Sequence, residues 1–128
     1  MPQNEKKWHE FYKDIKDDIL NNNRADENQY LNNVKSLVGK LQRDISSSQL
    51  RNVFSRVKNL KTPKELYSLR PKLAYVYGRP NTKFGMQKII EILDEKIIDV
   101  KNEEQLKLFI DFFETIIAYH KYYEGGGK

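Results

Sequence analysis

The sequence contains no cysteine, only two histidines, and few glycines and prolines for its 128 residues. Without cysteine, the chain can form no disulfide, no thiolate-bound zinc site and no cysteine nucleophile. Six glycines and four prolines are too few for a turn-rich β-barrel or β-sandwich. The fold must therefore rest on ordinary hydrophobic packing.

Long hydrophobic runs are also missing. The first ten residues are polar, unlike a signal peptide, and no stretch reaches the roughly 18 apolar residues of a membrane span. We therefore expect a soluble cytoplasmic protein that does not enter a membrane. Hydrophobic residues still make up 38% of the chain, and its length suits one domain better than two. We expect a single helical domain over residues 1–128.

Apolar residues recur every three or four positions along nearly the whole chain, which is the period of an amphipathic helix. Several helix starts are marked by a capping side chain followed three residues later by Glu or Gln. These starts lie at Asp26, Ser46, Thr62 and Asn102, and Thr62 is followed by Pro63 at the favoured first helical position. The pattern predicts an all-α protein, a compact bundle of five or six helices.

Helix ends are marked less clearly than helix starts. The first apolar stripe runs from Trp8 to Ile19, and the asparagines at 21–23 should end that helix. Pro71 disfavours helix at the preceding residue, so the chain should kink or restart there, and Gly78 should end the restarted piece.

The last helix is apolar on most sides, which predicts either a central position or contact with a partner as well as the core. Beyond this helix, residues 124–128 include three glycines in a row, and we expect this tail to be flexible.

The net charge of +5 is unevenly distributed. Residues 1–45 form a charged helical lead-in with no net charge, residues 46–88 carry ten Lys and Arg against one acid, and residues 89–128 have a net charge of −4. A middle segment this basic should create a positive surface. Nucleic acid and an acidic protein are the two partners that such a surface would attract, and charge alone does not separate them.

The sequence contains few patterns that would indicate a catalytic site. His120 and Glu124 lie four residues apart and would share a helix face, but two ligands at this spacing do not make a metal site. We expect a surface His–Glu pair, no metal and no cofactor. A hydrolase that uses His120 with nearby acids is a minor hypothesis. We interpret the chain as non-catalytic.

Phosphate contacts are better supported. Arg51, Ser55 and Lys58 recur at helical spacing opposite an apolar stripe, so they form one polar face. Further basic residues stand at expected helix boundaries, at Arg70, Lys72 and Arg79. Five tyrosines offer planes for base stacking, although tyrosines at helical spacing more often complete a core: Tyr75, Tyr77, Tyr119, Tyr122 and Tyr123. Other lysines are expected to be solvated: Lys6, Lys7, Lys13, Lys96 and Lys101.

Three blocks of sequence resemble a known family. They read SQLRNVF at 48–54, LRPKLAYVYGR at 69–79 and FIDFFETIIAYHKYY at 109–123. In this order and spacing they resemble the small subunit of the type III-A CRISPR effector, the Csm complex. The resemblance covers residues 46–128, which form the family-like core, while residues 1–45 match only as a charged helical segment.

The resemblance implies a structural role without catalysis in antiviral defence. Members of this family stack in several copies into a filament beside the backbone subunits that hold the CRISPR RNA. Their partners would be the CRISPR RNA and target RNA, the backbone and large subunits, and copies of the same chain. They touch the target strand without reading its sequence, and cleavage belongs to other subunits.

The resemblance also indicates which residues would contact RNA. It points first to Gln49, Arg51 and Arg79, and then to Arg70, Lys72 and Lys121. Together with Lys58, which the helical spacing adds, these are the predicted RNA-binding residues. The alternative is a helical adaptor whose basic face docks an acidic protein partner.

Overall fold

A computed structural model describes residues 5–127, so residues 1–4 of the polar start and residue 128 lie outside it. The described part contains seven α-helices, a 3-10 helix at Gln42–Asp44, and no strand. The α-helices are α1 Trp8–Ile15, α2 Glu27–Leu41, α3 Ser47–Val57, α4 Pro63–Tyr67, α5 Arg70–Tyr77, α6 Phe84–Asp99 and α7 Glu103–Glu124. The predicted all-α bundle is confirmed, and its helices number six if α4 and α5 count as one interrupted helix.

The predicted helix starts are confirmed. At each one the capping side chain accepts a hydrogen bond from the backbone N–H three residues later, which satisfies a donor that the helix leaves free. The donor–acceptor distances lie between 2.8 and 3.2 Å for Asp26, Ser46, Thr62 and Asn102. Thr62 and Glu65 form a complete capping box, with Pro63 at the first helical position.

The predicted interruption before Pro71 is also confirmed, because α4 ends at Tyr67 and a new helix begins at Arg70. This helix ends at Gly78, as predicted. Gly78 has a φ of −83°, so it does not use the left-handed backbone conformation that often selects glycine at this position.

The first helix is shorter than its apolar stripe predicts. It ends at Ile15, and residues 16–20 form turns, although Ile19 stays fully buried. Side chains from elsewhere bind the carbonyl groups of this segment: Arg24 donates to the Asp18 and Ile19 carbonyls at 2.6 and 3.0 Å. Asp17 and Asp18 would also lie unfavourably at a helix C-terminus. Tertiary hydrogen bonds thus replace the last helical turn.

The prediction that Lys96 is solvated is wrong, because its side chain is buried. Its side chain retains 8% of its accessible surface, and its amine donates to the Lys16 carbonyl at 2.8 Å and lies 3.5 Å from Asp99. A buried cation needs such partners. The sequence pattern showed only a lysine three residues before Asp99 and could not reveal a carbonyl acceptor eighty residues away.

All seven α-helices contribute side chains to one hydrophobic core. Helix α7 packs against α2, α3, α4 and α6, which explains why it is apolar on most sides. Three of its phenylalanines, Phe109, Phe112 and Phe113, are fully buried. A central position in the bundle therefore accounts for the apolar surplus of α7.

Residues 125 and 126, after α7, form turns. The backbone N–H groups of Gly125, Gly126 and Gly127 donate to carbonyls of residues 121–123 at 3.0–3.1 Å. The flexibility expected for residues 124–128 stays a prediction. None of the helices in residues 5–127 combines the length and apolar character needed to cross a membrane.

Candidate nucleic-acid interface

The predicted RNA-binding residues of α3 diverge to the two sides of this helix. Leu50, Val53 and Val57 form its buried stripe. Gln49 and Arg51 lie on opposite flanks of this stripe, because two residues correspond to about 200° of helical rotation. Arg51 and Lys58 share a flank and are both exposed, as the spacing predicted. We call Arg51, Ser55 and Lys58 the α3 face.

Gln49 connects α3 to the turn that follows α5. Its amide donates to the Thr82 hydroxyl at 3.5 Å, and Thr82 in turn donates to the Val76 carbonyl at 2.6 Å. The backbone N–H of Thr82 donates to the Arg79 carbonyl at 3.0 Å. The structure thus brings together Gln49 and the turn that carries the exposed side chain of Arg79.

Arg51 lies near the C-terminal end of α7, within electrostatic range of His120. The prediction of a surface His–Glu pair is wrong, since His120 is buried with 4% exposure. Its ring forms a hydrogen bond with the backbone of Gln42. Burial lowers the pKa of His120 below its usual value, the nearby Glu124 and the Gln42 hydrogen bond oppose this effect, and the positive charge of Arg51 adds to it.

The lowered pKa of His120 predicts a loss of stability in acid. The unfolded chain binds a proton near pH 6.5 more readily than the native chain, so stability is complete above that pH and decreases below it. A single proton accounts for at most about 1.4 kcal/mol per pH unit. Urea unfolding between pH 7.5 and 5.5 should show a shallower decrease for His120→Gln than for the unchanged protein.

His9 provides the control for this measurement, because it is exposed. We expect the decrease for His120→Gln to be shallower than that for His9→Gln as well. Equal pH slopes for His120→Gln and the unchanged protein would contradict the assignment.

Arg70 is engaged within the chain. Its Nε and Nη2 atoms donate to the two carboxylate oxygens of Asp94 at 2.7 and 3.2 Å. This two-pronged pair neutralises much of the charge that a phosphate would meet. The sequence could not show it, because Asp94 lies on α6, twenty-four residues away.

Lys72 lies on α5, and Arg79 lies in the turn that follows this helix. Between them lies Tyr75, whose side chain is 65% exposed, and the Lys72 amine is 5.8 Å from the centre of its ring. We call Lys72, Tyr75 and Arg79 the α5 face. The sequence offered five tyrosines as stacking planes without a means to choose among them, and exposure singles out Tyr75.

Lys58 and Lys121 occupy separate places. Lys58 lies at the end of α3, in a cleft of about 530 Å³ between the connection from α3 to α4 and helix α7. This cleft combines two further lysines with aliphatic side chains and one acid: Lys61, Lys107, Leu60, Leu106, Ile110 and Glu103. Lys121 is exposed in the last turn of α7, directly after His120.

No three His, Asp or Glu side chains within residues 5–127 gather where they could hold a metal ion. By contrast, exposed cations of the α3 and α5 faces have no acidic partner within 4 Å among these residues: Arg51, Lys58 and Arg79. The arrangement suits contact with an external anion.

The fold and this surface define a small all-helical protein with exposed, unpaired basic residues. A protein-family model described as Csm2 type III-A matches residues 25–126. The chain therefore belongs to the Csm2 family, the small subunit of the type III-A Csm complex of CRISPR-Cas systems. No curated protein and no solved structure matches the chain.

The family match confirms the resemblance and extends it. The three blocks suggested similarity from residue 46 onward, whereas the match begins at residue 25 and includes all of α2. Helix α2 packs on both α6 and α7, so the family region contains most of the core.

Proposed function

We propose that this subunit binds RNA through phosphate contacts that are independent of sequence, and that it does so without catalysis. Its RNA partners are the CRISPR RNA and the target RNA, and its protein partners are the backbone and large subunits and copies of itself. The single observation that supports this most is the set of exposed cations without acidic partners on the α3 and α5 faces. Such side chains bind phosphate without reading bases.

The predicted residues do not contribute equally to this proposal. Arg51, Lys58 and Arg79 are exposed and have no acidic partner within 4 Å among residues 5–127, and Lys121 is exposed in the last turn of α7. Gln49 acts mainly through its bond to Thr82, which holds the turn of Arg79 against α3. Arg70 is the weakest candidate because Asp94 already accepts its hydrogen bonds.

Arg51→Ala and Arg79→Ala should each weaken RNA binding while the fold stays intact, since both side chains are exposed. Each lost contact should reduce the slope of log affinity against log salt by about 0.7 for a single strand. The measurement is a titration of mixed-sequence RNA at several salt concentrations, with the complete chain and with the assembled complex.

Lys13→Ala is the matched control, because it removes one exposed positive charge from α1. We expect its salt slope to equal that of the unchanged protein. If Arg51→Ala and Arg79→Ala bind RNA as well as the control, the two faces do not contact RNA. If they instead lose association with an acidic subunit, the adaptor alternative is correct.

Contact between copies of the chain has its best support in a groove between α5 and α6. The groove measures about 700 Å³, and two of its lining residues, Tyr67 and Ile98, are large side chains that remain 37% and 44% exposed. Exposed apolar side chains that line one groove are typical of a contact surface. We include stacking of copies through this groove in the proposal.

Ile98→Lys should reduce the number of copies of this subunit in the complex, because a charge would be buried in the contact. Its effect on folding should be small, since Ile98 is 44% exposed and a lysine suits the end of a helix. Native mass spectrometry of the assembled complex provides the measurement, with Ile98→Leu as the conservative control. If the complex with Ile98→Lys contains the same number of copies of this subunit, the groove is not the contact between copies.

A further inference from the structure

Tyr75 is the most exposed of the large hydrophobic and aromatic side chains in residues 5–127. It lies in the middle of α5, and 65% of its surface is accessible. Its ring has no aromatic neighbour and its hydroxyl has no hydrogen-bond partner among the described residues. A single exposed tyrosine is ordinary on a protein surface, so the role of Tyr75 depends on the residues that surround it.

Positive charge lies on both sides of Tyr75 in the sequence. Lys72 precedes it by three residues on the same side of the helix, with its amine 5.8 Å from the ring centre. Arg79 follows by four residues and is exposed in the turn after α5, which ends at Tyr77. The α5 face therefore presents an open aromatic plane with one cation beside it and a second cation in the adjoining turn.

The other tyrosines suggested by the sequence are engaged. Tyr77 is half-buried and donates to Glu91 at 3.0 Å, and Tyr123 is half-buried and donates to the Lys35 carbonyl at 3.1 Å. Tyr119 packs on the core, and the Tyr122 ring lies 5.2 Å from that of Tyr123 and 4.6 Å from the Lys35 amine. Among residues 5–127, the Tyr75 ring contacts no other aromatic ring and does not pack on the core, and the Lys72 amine is its charged neighbour.

We infer that Tyr75 is a stacking platform for an unpaired RNA base, with Lys72 and Arg79 binding the adjacent phosphates. This inference rests on the proposed function and names the kind of RNA that the α5 face takes. Cations along the backbone together with an aromatic plane are the combination that holds single strands independently of sequence. A base inside a duplex is already stacked and hydrogen-bonded, so it leaves no free face for Tyr75.

The surroundings favour a nucleotide over a protein segment as the occupant of this face. A protein contact would need apolar neighbours around the ring, whereas residues 72 and 79 on this face are basic. The apolar groove that contains Ala74 is lined by other residues of α4 and α5 and by α6, and neither Tyr75 nor Lys72 lines it.

The first experiment compares Tyr75→Leu with Tyr75→Phe in titrations of mixed-sequence single-stranded RNA. Tyr75→Leu removes the ring and should weaken binding about tenfold, while Tyr75→Phe keeps the ring and should bind as the unchanged protein does. The salt slope should not change for either variant, because no charge is lost. Arg79→Ala should show the opposite signature, a lower salt slope.

The second experiment uses the assembled complex with target RNA that contains bromouridine. Irradiation should link the RNA to Tyr75, and peptide mapping should find this adduct in the Tyr75→Phe protein at residue 75 but not in Tyr75→Leu. Phe84→Leu removes another exposed ring, 53% accessible, and should change neither affinity nor cross-linking. Equal losses for Phe84→Leu and Tyr75→Leu would overturn the assignment.

The outcomes separate this inference from the proposed function. If Arg51→Ala loses RNA while Tyr75→Leu binds and cross-links normally, stacking is wrong and phosphate binding stands. If the unchanged subunit makes no RNA contact in the complex, both fail. If Tyr75→Leu impairs assembly and no cross-link forms at residue 75, the ring contacts a protein and the inference is overturned.

Discussion

Phe113→Ala is expected to destabilise the protein by about 3–5 kcal/mol, the usual cost of removing a large aromatic side chain from a core. Phe113 is fully buried on α7, with its ring centre 5.2 Å from that of Phe54 and 6.2 Å from that of Phe109. The substitution would leave a cavity where α3 packs on α7. Small domains have only about 5–15 kcal/mol of stability, so this loss is a large share of the total.

Urea unfolding followed by circular dichroism measures this change. Phe84→Ala is the matched control, because Phe84 is 53% exposed and its removal leaves no enclosed cavity. We expect the control to lose about 1 kcal/mol or less. A loss of similar size for both variants would show that the Phe54–Phe113 contact does not anchor α3.

Gly85→Ala is expected to cost about 1–3 kcal/mol, although alanine is normally the better helix former. Gly85 is buried in the first turn of α6, and its N–H donates to the Asp44 carboxylate at 3.2 Å. An added Cβ would overlap the backbone carbonyl of Leu41 and come within 2.9 Å of the Asp44 Cβ. A backbone carbonyl cannot rotate away as a side chain can, so α6 or the end of α2 must shift.

Gly78→Ala provides the contrast at a second glycine. There an added Cβ would lie 3.6 Å from the nearest atom, the Ala74 carbonyl oxygen, and the backbone conformation is one that alanine adopts readily. We expect Gly78→Ala to be neutral or slightly stabilising, because alanine restricts the unfolded chain. Thermal unfolding of the two variants tests the pair, and an undiminished melting temperature for Gly85→Ala would disprove the predicted overlap.

Much of the helical architecture follows from local sequence. The caps at Asp26, Ser46, Thr62 and Asn102 and the interruption at Pro71 depend on residues within one turn of each other, so the sequence predicts them correctly. The end of α1 depends on Arg24 and Lys96 reaching back to carbonyls of residues 16–19. These hydrogen bonds join residues that are not neighbours on one helix. Helical periodicity therefore cannot predict them.

The sequence likewise predicts only some features of the candidate interface. The basic segment and the shared face of Arg51 and Lys58 can be derived from charge and helical spacing. Which cations are free to bind an anion cannot be derived in this way. Arg70 is paired with Asp94 on another helix, whereas Arg79 has no acidic partner within 4 Å among residues 5–127. The burial of His120 and the exposure of Tyr75 likewise depend on which neighbouring helices cover each side chain.

By itself, the amino-acid sequence determined the helical class of this protein, its helix starts, its basic middle segment and its likeness to the Csm small subunit. These properties depend on residue type and short-range spacing, which a linear chain displays directly. The tertiary structure decided which side chains are free to act. An ion pair such as Arg70–Asp94 and an open ring such as that of Tyr75 arise only when helices pack, because packing alone sets distance and solvent access.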